Sequence, residues 1–139
     1  MYANIGLLLN AFLMGVMVSF IVVTSPTVFK TLDEEHSKKF LRFIFPRLFK
    51  FCFLIATGMV LFFALAEFSF GTIAGIIVAI GFLINTYFLT PRINKTRDLM
   101  TRGHTDLEKE FKRFHFASVL LYLISMVFIV AIFVLYYSR

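Results

Sequence analysis

Four long apolar segments, separated by polar ones, dominate the pattern of this chain. They cover about residues 5–29, 51–70, 72–90 and 116–137. Each is close to the roughly 20 residues that a helix needs to cross about 30 Å of hydrocarbon. No segment alternates apolar and polar residues as the strands of a membrane barrel do, and backbone groups in lipid are satisfied within helices. The pattern predicts an all-α integral membrane protein, a single domain of residues 1–139 with four antiparallel helices in up-down order.

The basic residues predict how this bundle sits in the membrane. Thirteen of the fourteen Lys and Arg residues lie in two connections, residues 30–50 and 91–115. With four spans both connections fall on one side, and the positive-inside rule places that side in the cytoplasm. We therefore expect a cell (inner) membrane protein with both termini outside. Basic residues beside lipid favour anionic headgroups as partners, and not nucleic acid, despite the net charge of +6.

The helices are expected to extend beyond the lipid on the cytoplasmic side. Thr31-Leu32-Asp33-Glu34 and Thr105-Asp106-Leu107-Glu108 both have the spacing of a capping box that opens a helix. The second helix would run through Pro46 with a kink, and the third would continue past Pro91 to about residue 100. The turn between these two helices is predicted near residues 69–71.

Composition narrows the function classes. The chain is 60% hydrophobic and only 16% charged, with a mean hydropathy of +0.88, which a soluble domain of 139 residues could not bury. A single cysteine, Cys52, excludes an internal disulfide and a thiolate metal cluster. No nucleophile elbow, HExxH, Walker A or GxGxxG motif is present, which favours a non-enzymatic role without deciding the question.

Two glycines mark the packing face of the third helix. Gly71 and Gly75 have GxxxG spacing, and Val78, Phe82 and Asn85 follow on the same face. Because small residues allow helices to approach closely in membranes, this face is expected to point into the bundle. The same face could instead support a homo-oligomer.

Polar residues at the cytoplasmic ends of helices 3 and 4 form the candidate binding site. Asn85 and Arg92 are seven residues apart and share a face, while His115, Ser118 and Tyr122 form a stripe on helix 4. A buried amide, a cation and an imidazole that converge would suit an anionic or polar ligand. The alternatives are hydrogen bonds between helices for the stripe and contact with lipid phosphate for Arg92.

Histidine chemistry gives weaker candidates. His115 could serve as a base, a metal ligand or a haem axial ligand. His36 and His104 are predicted on the same side of the membrane, so a shared metal site is conceivable, but the three histidines lack the spacing of a metal motif. No metal or cofactor is therefore predicted, with haem as the open alternative.

Short motifs resemble a known family along nearly the whole chain. They are Ser25-Pro26-Thr27-Val28-Phe29, Phe45-Pro46, Asn85 with Leu89-Thr90-Pro91-Arg92, and Phe111 with Phe114-His115 and Ser118. They resemble the transmembrane-protein-205-like family, also described as domain of unknown function 4149. The resemblance implies a four-helix membrane protein without an established reaction. Relatives linked with drug resistance make a component of a metal or drug resistance or efflux system one alternative.

A more distant similarity is to HemJ-type protoporphyrinogen oxidases, which are also small four-helix membrane proteins. It implies a haem- or porphyrin-binding redox enzyme as a second alternative. Those proteins carry an essential histidine early in the chain, and helix 1 here has none. The favoured function is therefore binding of a lipid headgroup, a small ligand or a protein partner at the polar site near the cytoplasmic face.

Overall fold

The computed structural model describes residues 1–138 and contains four long helices. They are α1 (Tyr2–Thr31), α2 (Glu34–Leu65), α3 (Ser69–Thr101) and α4 (Thr105–Tyr137). All four are long and apolar enough to cross a membrane, which confirms the predicted all-α membrane bundle. Arg139, expected outside with the C-terminus, lies outside the described residues.

The helices pack as an up-down bundle in chain order. α2 packs against α1 and α3, and α4 packs against α3 and against the first part of α1. The α1–α2 and α3–α4 turns therefore lie at one end, together with most of the Lys and Arg residues. We call this end, formed by residues 30–50 and 91–115, the basic end.

Large apolar side chains cover the outer surface of the helices as well as the core. Leu8, Leu54 and Val127 are each more than 65% exposed. Exposing such side chains to water forfeits about 1.5–3 kcal/mol apiece relative to burial. Their number and spread over all four helices are those of a bundle that faces lipid.

The predicted glycine face does point into the bundle. Gly71 and Gly75 are buried, together with Val78, Phe82 and Asn85. A Cβ atom on Gly75 would lie 2.7 Å from Cγ2 of Val60, and one on Gly71 would lie 2.5 Å from a ring carbon of Phe68. The close approach therefore joins α3 to α2 within one chain. This covered face is not the free surface that a homo-oligomer would need.

The turn between α2 and α3 lies earlier than predicted. α2 ends at Leu65, and the turn occupies residues 66–68 instead of residues 69–71. Glu67 takes a left-handed conformation with φ 55°, and buried Phe68 stacks edge-on against Phe63 at 5.3 Å between ring centroids. Because the turn itself contributes a core side chain, Glu67 is the one charged residue that marks it in the sequence.

The two predicted capping boxes are wrong in detail. Asp33, not Thr31, caps α2: its carboxylate accepts a hydrogen bond from the His36 backbone N–H at 2.9 Å, which holds the pKa of Asp33 below its ordinary value. Thr31 ends α1 and donates to the Thr27 carbonyl. α4 opens with a 3-10 turn, Thr105–Leu107, which no side chain caps. Both helices nevertheless begin within the two predicted four-residue segments, α2 at Glu34 and α4 at Thr105.

Two of the three prolines follow a π turn. Residues Phe20–Thr24 form one before Pro26 in α1, and residues Asn85–Leu89 form the other before Pro91 in α3. A proline ring lacks an N–H and clashes with the carbonyl one turn back, and a π turn widens the helix by one extra residue. α3 thereby continues past Pro91 to Thr101, as predicted. Each extra residue rotates the following helix face by about 100°.

Candidate functional site

α1 and α4 touch along only part of their length. Asn10 Nδ2 donates to the Ile129 carbonyl at 3.0 Å, and the Tyr122 hydroxyl donates to the Met17 carbonyl at 3.0 Å. Beyond these ties, within residues 1–138, the part of α1 from residue 20 onward has no Cα atom within 8 Å of one in residues 108–137. The two helices therefore diverge toward the basic end and leave a cleft of about 750 Å³ between them.

All four helices contribute apolar walls to this α1–α4 cleft. The larger apolar side chains are Phe20, Ile21 and Phe29 from α1, Leu41, Phe45 and Phe49 from α2, Ile93 from α3, and Val119, Tyr122 and Leu123 from α4. Phe49 and Tyr122 are buried at the back, whereas Ile21, Phe29 and Leu123 are exposed. The cleft is thus a largely apolar space that opens sideways, toward the region a bilayer would occupy.

The polar side chains of the cleft gather at the basic end. Asn94 and Arg97 come from α3, and His115 and Ser118 from α4. The Arg97 guanidinium carbon lies 5.4 Å from the centroid of the Phe111 ring, and the His115 ring stacks parallel on the same ring at 6.0 Å. Phe111 therefore holds a cation and an imidazole side by side at the mouth of the apolar space.

Within residues 1–138, Arg97 is a cation of the cleft that forms no ion pair, although it is close enough to Asp98 to interact with it electrostatically. The other cation, Lys38, pairs with Glu34. The neighbouring carboxylate, Asp98, accepts two hydrogen bonds from Arg42 at 2.8 and 2.7 Å. In the part of the chain that the structure describes, the partly buried guanidinium of Arg97 makes no hydrogen bond or ion pair. An anionic group would satisfy it.

Three of the predicted site residues line the cleft and two do not. His115, Ser118 and Tyr122 line it, although the Tyr122 hydroxyl is committed to α1. Asn85 is buried behind it, where its Nδ2 donates to the Ser118 carbonyl at 3.4 Å. Arg92 turns outward, with its guanidinium carbon 3.5 Å from the centroid of the exposed Phe88 ring, and does not line the cleft.

The π turn explains why Arg97, and not Arg92, lies in the cleft. A regular helix places residue 92 on the face of Asn85, two turns away. The π turn Asn85–Leu89 inserts one residue, so buried Ile93 takes that position and Arg92 is rotated out. Arg97, one turn further on, then points toward α4. Pro91 indicates an irregularity near this point of α3, but Pro46 lies within α2 without a π turn, so a proline alone does not specify one.

The three histidines occupy separate places. His36 contacts the Asp33 carboxylate at 2.8 Å at the start of α2, His104 lies in the α3–α4 turn, and His115 lines the cleft. Across residues 1–138, no three His, Cys, Asp or Glu side chains are grouped closely enough to hold a metal ion.

Comparison with known families finds a match over most of the chain. A family model described as "Domain of unknown function (DUF4149)" matches residues 8–102, which include most of α1, all of α2 and α3, and therefore three of the four walls of the cleft. Comparison with curated proteins finds no match, and neither does comparison with solved structures.

Proposed function

The chain belongs to the DUF4149 family, whose description states no activity, and we propose that it binds one anionic lipid in the α1–α4 cleft. The headgroup lies against Arg97 and His115, and an acyl chain extends along the apolar walls toward Tyr122. The observation that carries this proposal is the unpaired, partly buried Arg97 at the mouth of an apolar space that opens sideways.

The physical argument begins with the charge of Arg97. A charged group that is partly buried against apolar side chains is costly unless it is paired or reaches water. The guanidinium presents five donors in a planar fork that matches carboxylate and phosphate oxygens. Because the Asp98 carboxylate is already paired with Arg42, the partner that best satisfies the Arg97 guanidinium is an anion from outside the chain.

The apolar part of the cleft has a volume and a lining that suit the acyl chain of an anionic lipid. A volume of about 750 Å³ lies within the usual range of small-molecule sites, roughly 300–1,000 Å³. Phe20, Phe45 and Phe49 provide aromatic walls, and the rim residues Ile21 and Leu123 are exposed between α1 and α4. A lipid can enter such a gap from the bilayer without leaving the apolar phase.

The same charge pattern supports an orientation in the membrane. We infer that the basic end faces the cytoplasm, that both termini lie outside, and that the membrane is the cell (inner) membrane. Thirteen of the fourteen Lys and Arg residues lie in the two connections at the basic end, which is the asymmetry the positive-inside rule describes. Anionic lipids of the cytoplasmic leaflet would then meet the cleft mouth directly.

Two arginines on the same helix make a matched pair for testing the binding site. Lipid binding to the detergent-purified protein can be followed by native mass spectrometry, with phosphatidylglycerol as ligand and phosphatidylcholine as the zwitterionic comparison. Loss of a charge-assisted hydrogen bond costs about 1.5–3 kcal/mol, so Arg97→Gln should weaken phosphatidylglycerol binding by roughly tenfold or more. Arg92→Gln removes the same charge outside the cleft and should change the affinity by less than about threefold.

Two results would contradict the proposal. One is an equal loss of phosphatidylglycerol binding in both arginine variants, since charge alone would then explain it. The other is binding of phosphatidylcholine as tightly as phosphatidylglycerol by the unmodified protein. The second cavity described below is untouched in both variants, so any difference between them reports on the cleft.

A further inference from the structure

A second cavity, of about 630 Å³, lies between α2 and α3 at the basic end. We call it the α2–α3 groove. Pro46 and Lys50 of α2 and Tyr87 and Pro91 of α3 line its walls. Thr90 and Asn94 line both this groove and the cleft, so these two residues form the wall between the cavities. Arg97 does not line the groove, and none of the charged residues that line the groove also lines the cleft.

The groove carries an excess of three positive charges. The charged side chains that line it are Arg42, Lys50, Lys95, Asp98 and Arg102. Asp98 is matched by Arg42 through two hydrogen bonds. Among the residues the structure describes, Lys50, Lys95 and Arg102 form no ion pair with a carboxylate, although Arg102 is close enough to Asp98 to interact with it electrostatically. Lys50 Nζ lies 5.7 Å from the centroid of the Tyr87 ring.

The spacing of these three cations exceeds what one phosphate can span. The Arg42–Asp98 and Lys50–Tyr87 contacts fix the register of the antiparallel helices. At 1.5 Å per residue, Lys95 lies about 12 Å along α3 from the level of Lys50, and Arg102 about 10 Å beyond Lys95. Two separate anionic groups, one on each side of Lys95, would satisfy this row.

We propose that the α2–α3 groove binds an organic anion with two separated phosphate groups. Basic pockets between membrane helices suit polyanionic headgroups because several cations share the low-dielectric interface. Asp98 lies between Lys95 and Arg102, and its negative charge is offset by the paired Arg42. The same chemistry is offered by a diphosphate lipid, such as a cardiolipin, and by a soluble bisphosphate ester.

The test compares two triple variants with equal charge loss. One variant, the groove triple, combines Lys50→Gln, Lys95→Gln and Arg102→Gln and so removes the three groove cations that form no ion pair within residues 1–138. The other variant, the control triple, combines Lys39→Gln, Lys109→Gln and Arg113→Gln. It removes three cations at the basic end that line neither cavity. Arg42 and Asp98 stay in place, because removing either would break the pair that joins α2 to α3, and Arg97 stays in both proteins.

Binding of cardiolipin in neutral detergent can be measured by titration calorimetry on the purified full-length chain. The groove triple should lose at least tenfold in affinity, whereas the control triple should lose less than threefold. Equal losses in the two triples, or an undiminished affinity in the groove triple, would overturn the proposal. Equal losses of phosphatidylglycerol and cardiolipin affinity in the groove triple would overturn the requirement for two phosphates.

Competition with glycerol 1,3-bisphosphate then distinguishes the source of the ligand. If the soluble ester displaces cardiolipin from the unmodified protein but has no effect on the groove triple, the groove recognises the phosphates themselves. If only the lipid binds, the acyl chains contribute and the ligand is a membrane lipid. Displacement of cardiolipin from both triples alike would count against the groove as the site.

Discussion

At the scale of single residues, small and polar side chains join the helices of this protein. Asn10 and Asn85 each donate from Nδ2 to a carbonyl of α4, at Ile129 and Ser118, and Gly75 lets α3 approach α2. Lipid is as apolar as the core, so burial of leucine between membrane helices gains little, and close packing and hydrogen bonds decide their association. The Oδ1 atoms of both asparagines are buried without a partner within residues 1–138.

Gly75 and Gly15 test the packing of α3 against α2. Gly75→Leu should destabilise the bundle by about 1–3 kcal/mol, because its Cβ would meet Val60 at 2.7 Å and Met59 at 3.1 Å. Gly15→Leu adds the same side chain where nothing lies within 4 Å of the new Cβ, and should leave stability unchanged or slightly higher. Thermal unfolding in detergent measures both. Identical melting of the two variants would show that α3 does not depend on this contact.

At the scale of helices, the length and apolar content of the four segments were enough to predict the four long helices, and local chemistry was needed for their ends. The predicted face through Gly71, Gly75 and Asn85 is correct because α3 is regular up to that point. Beyond Asn85 the predicted face is wrong, because the π turn adds a residue. Arg97, and not Arg92, therefore lines the cleft. Assigning residues to a helix face from their spacing assumes 3.6 residues per turn throughout. Spacing alone does not reveal where a π turn accommodates a proline. In α2, Pro46 is accepted within an α-helix without one.

Part of the candidate site was also accessible from sequence, and part was not. The stripe of His115, Ser118 and Tyr122 was predicted from spacing on α4, and all three line the cleft. The wall of the cleft opposite this stripe depends on the divergence of α1 from α4, which is a property of tertiary packing. Arg97 and Phe111 therefore acquire their significance only once the helices are assembled.

At the scale of the whole molecule, the two ends of the bundle differ in how tightly they pack. Away from the basic end, Phe63 and Phe68 form a buried aromatic cluster with Tyr136. At the basic end the helices separate, and two cavities lie on either side of the wall formed by Thr90 and Asn94. Both cavities contain cations that form no ion pair among the described residues, and the cleft also opens between the exposed apolar side chains of α1 and α4. The basic end is therefore where this protein has cavities suited to anionic ligands.

Cysteine accessibility tests the orientation of the molecule. In a Cys52→Ser background, Ser69→Cys marks the turn at one end and His104→Cys marks the basic end, and both positions are exposed. A membrane-impermeant maleimide should label Ser69→Cys in intact cells and His104→Cys only after permeabilisation. Labelling of His104→Cys from outside would reverse the proposed orientation, and labelling of both from the same side would contradict the bundle itself.

The lipid-binding cleft is tested most directly by photo-crosslinking in nanodiscs. Phosphatidylglycerol with a diazirine in its acyl chain should crosslink chiefly to the cleft-facing parts of α1 and α4, near Ile21 and Leu123, and Arg97→Gln should reduce this labelling while Arg92→Gln leaves it intact. Crosslinks spread evenly over lipid-facing positions such as Leu8, Leu54 and Val127, unchanged by Arg97→Gln, would show that no lipid is held in the cleft.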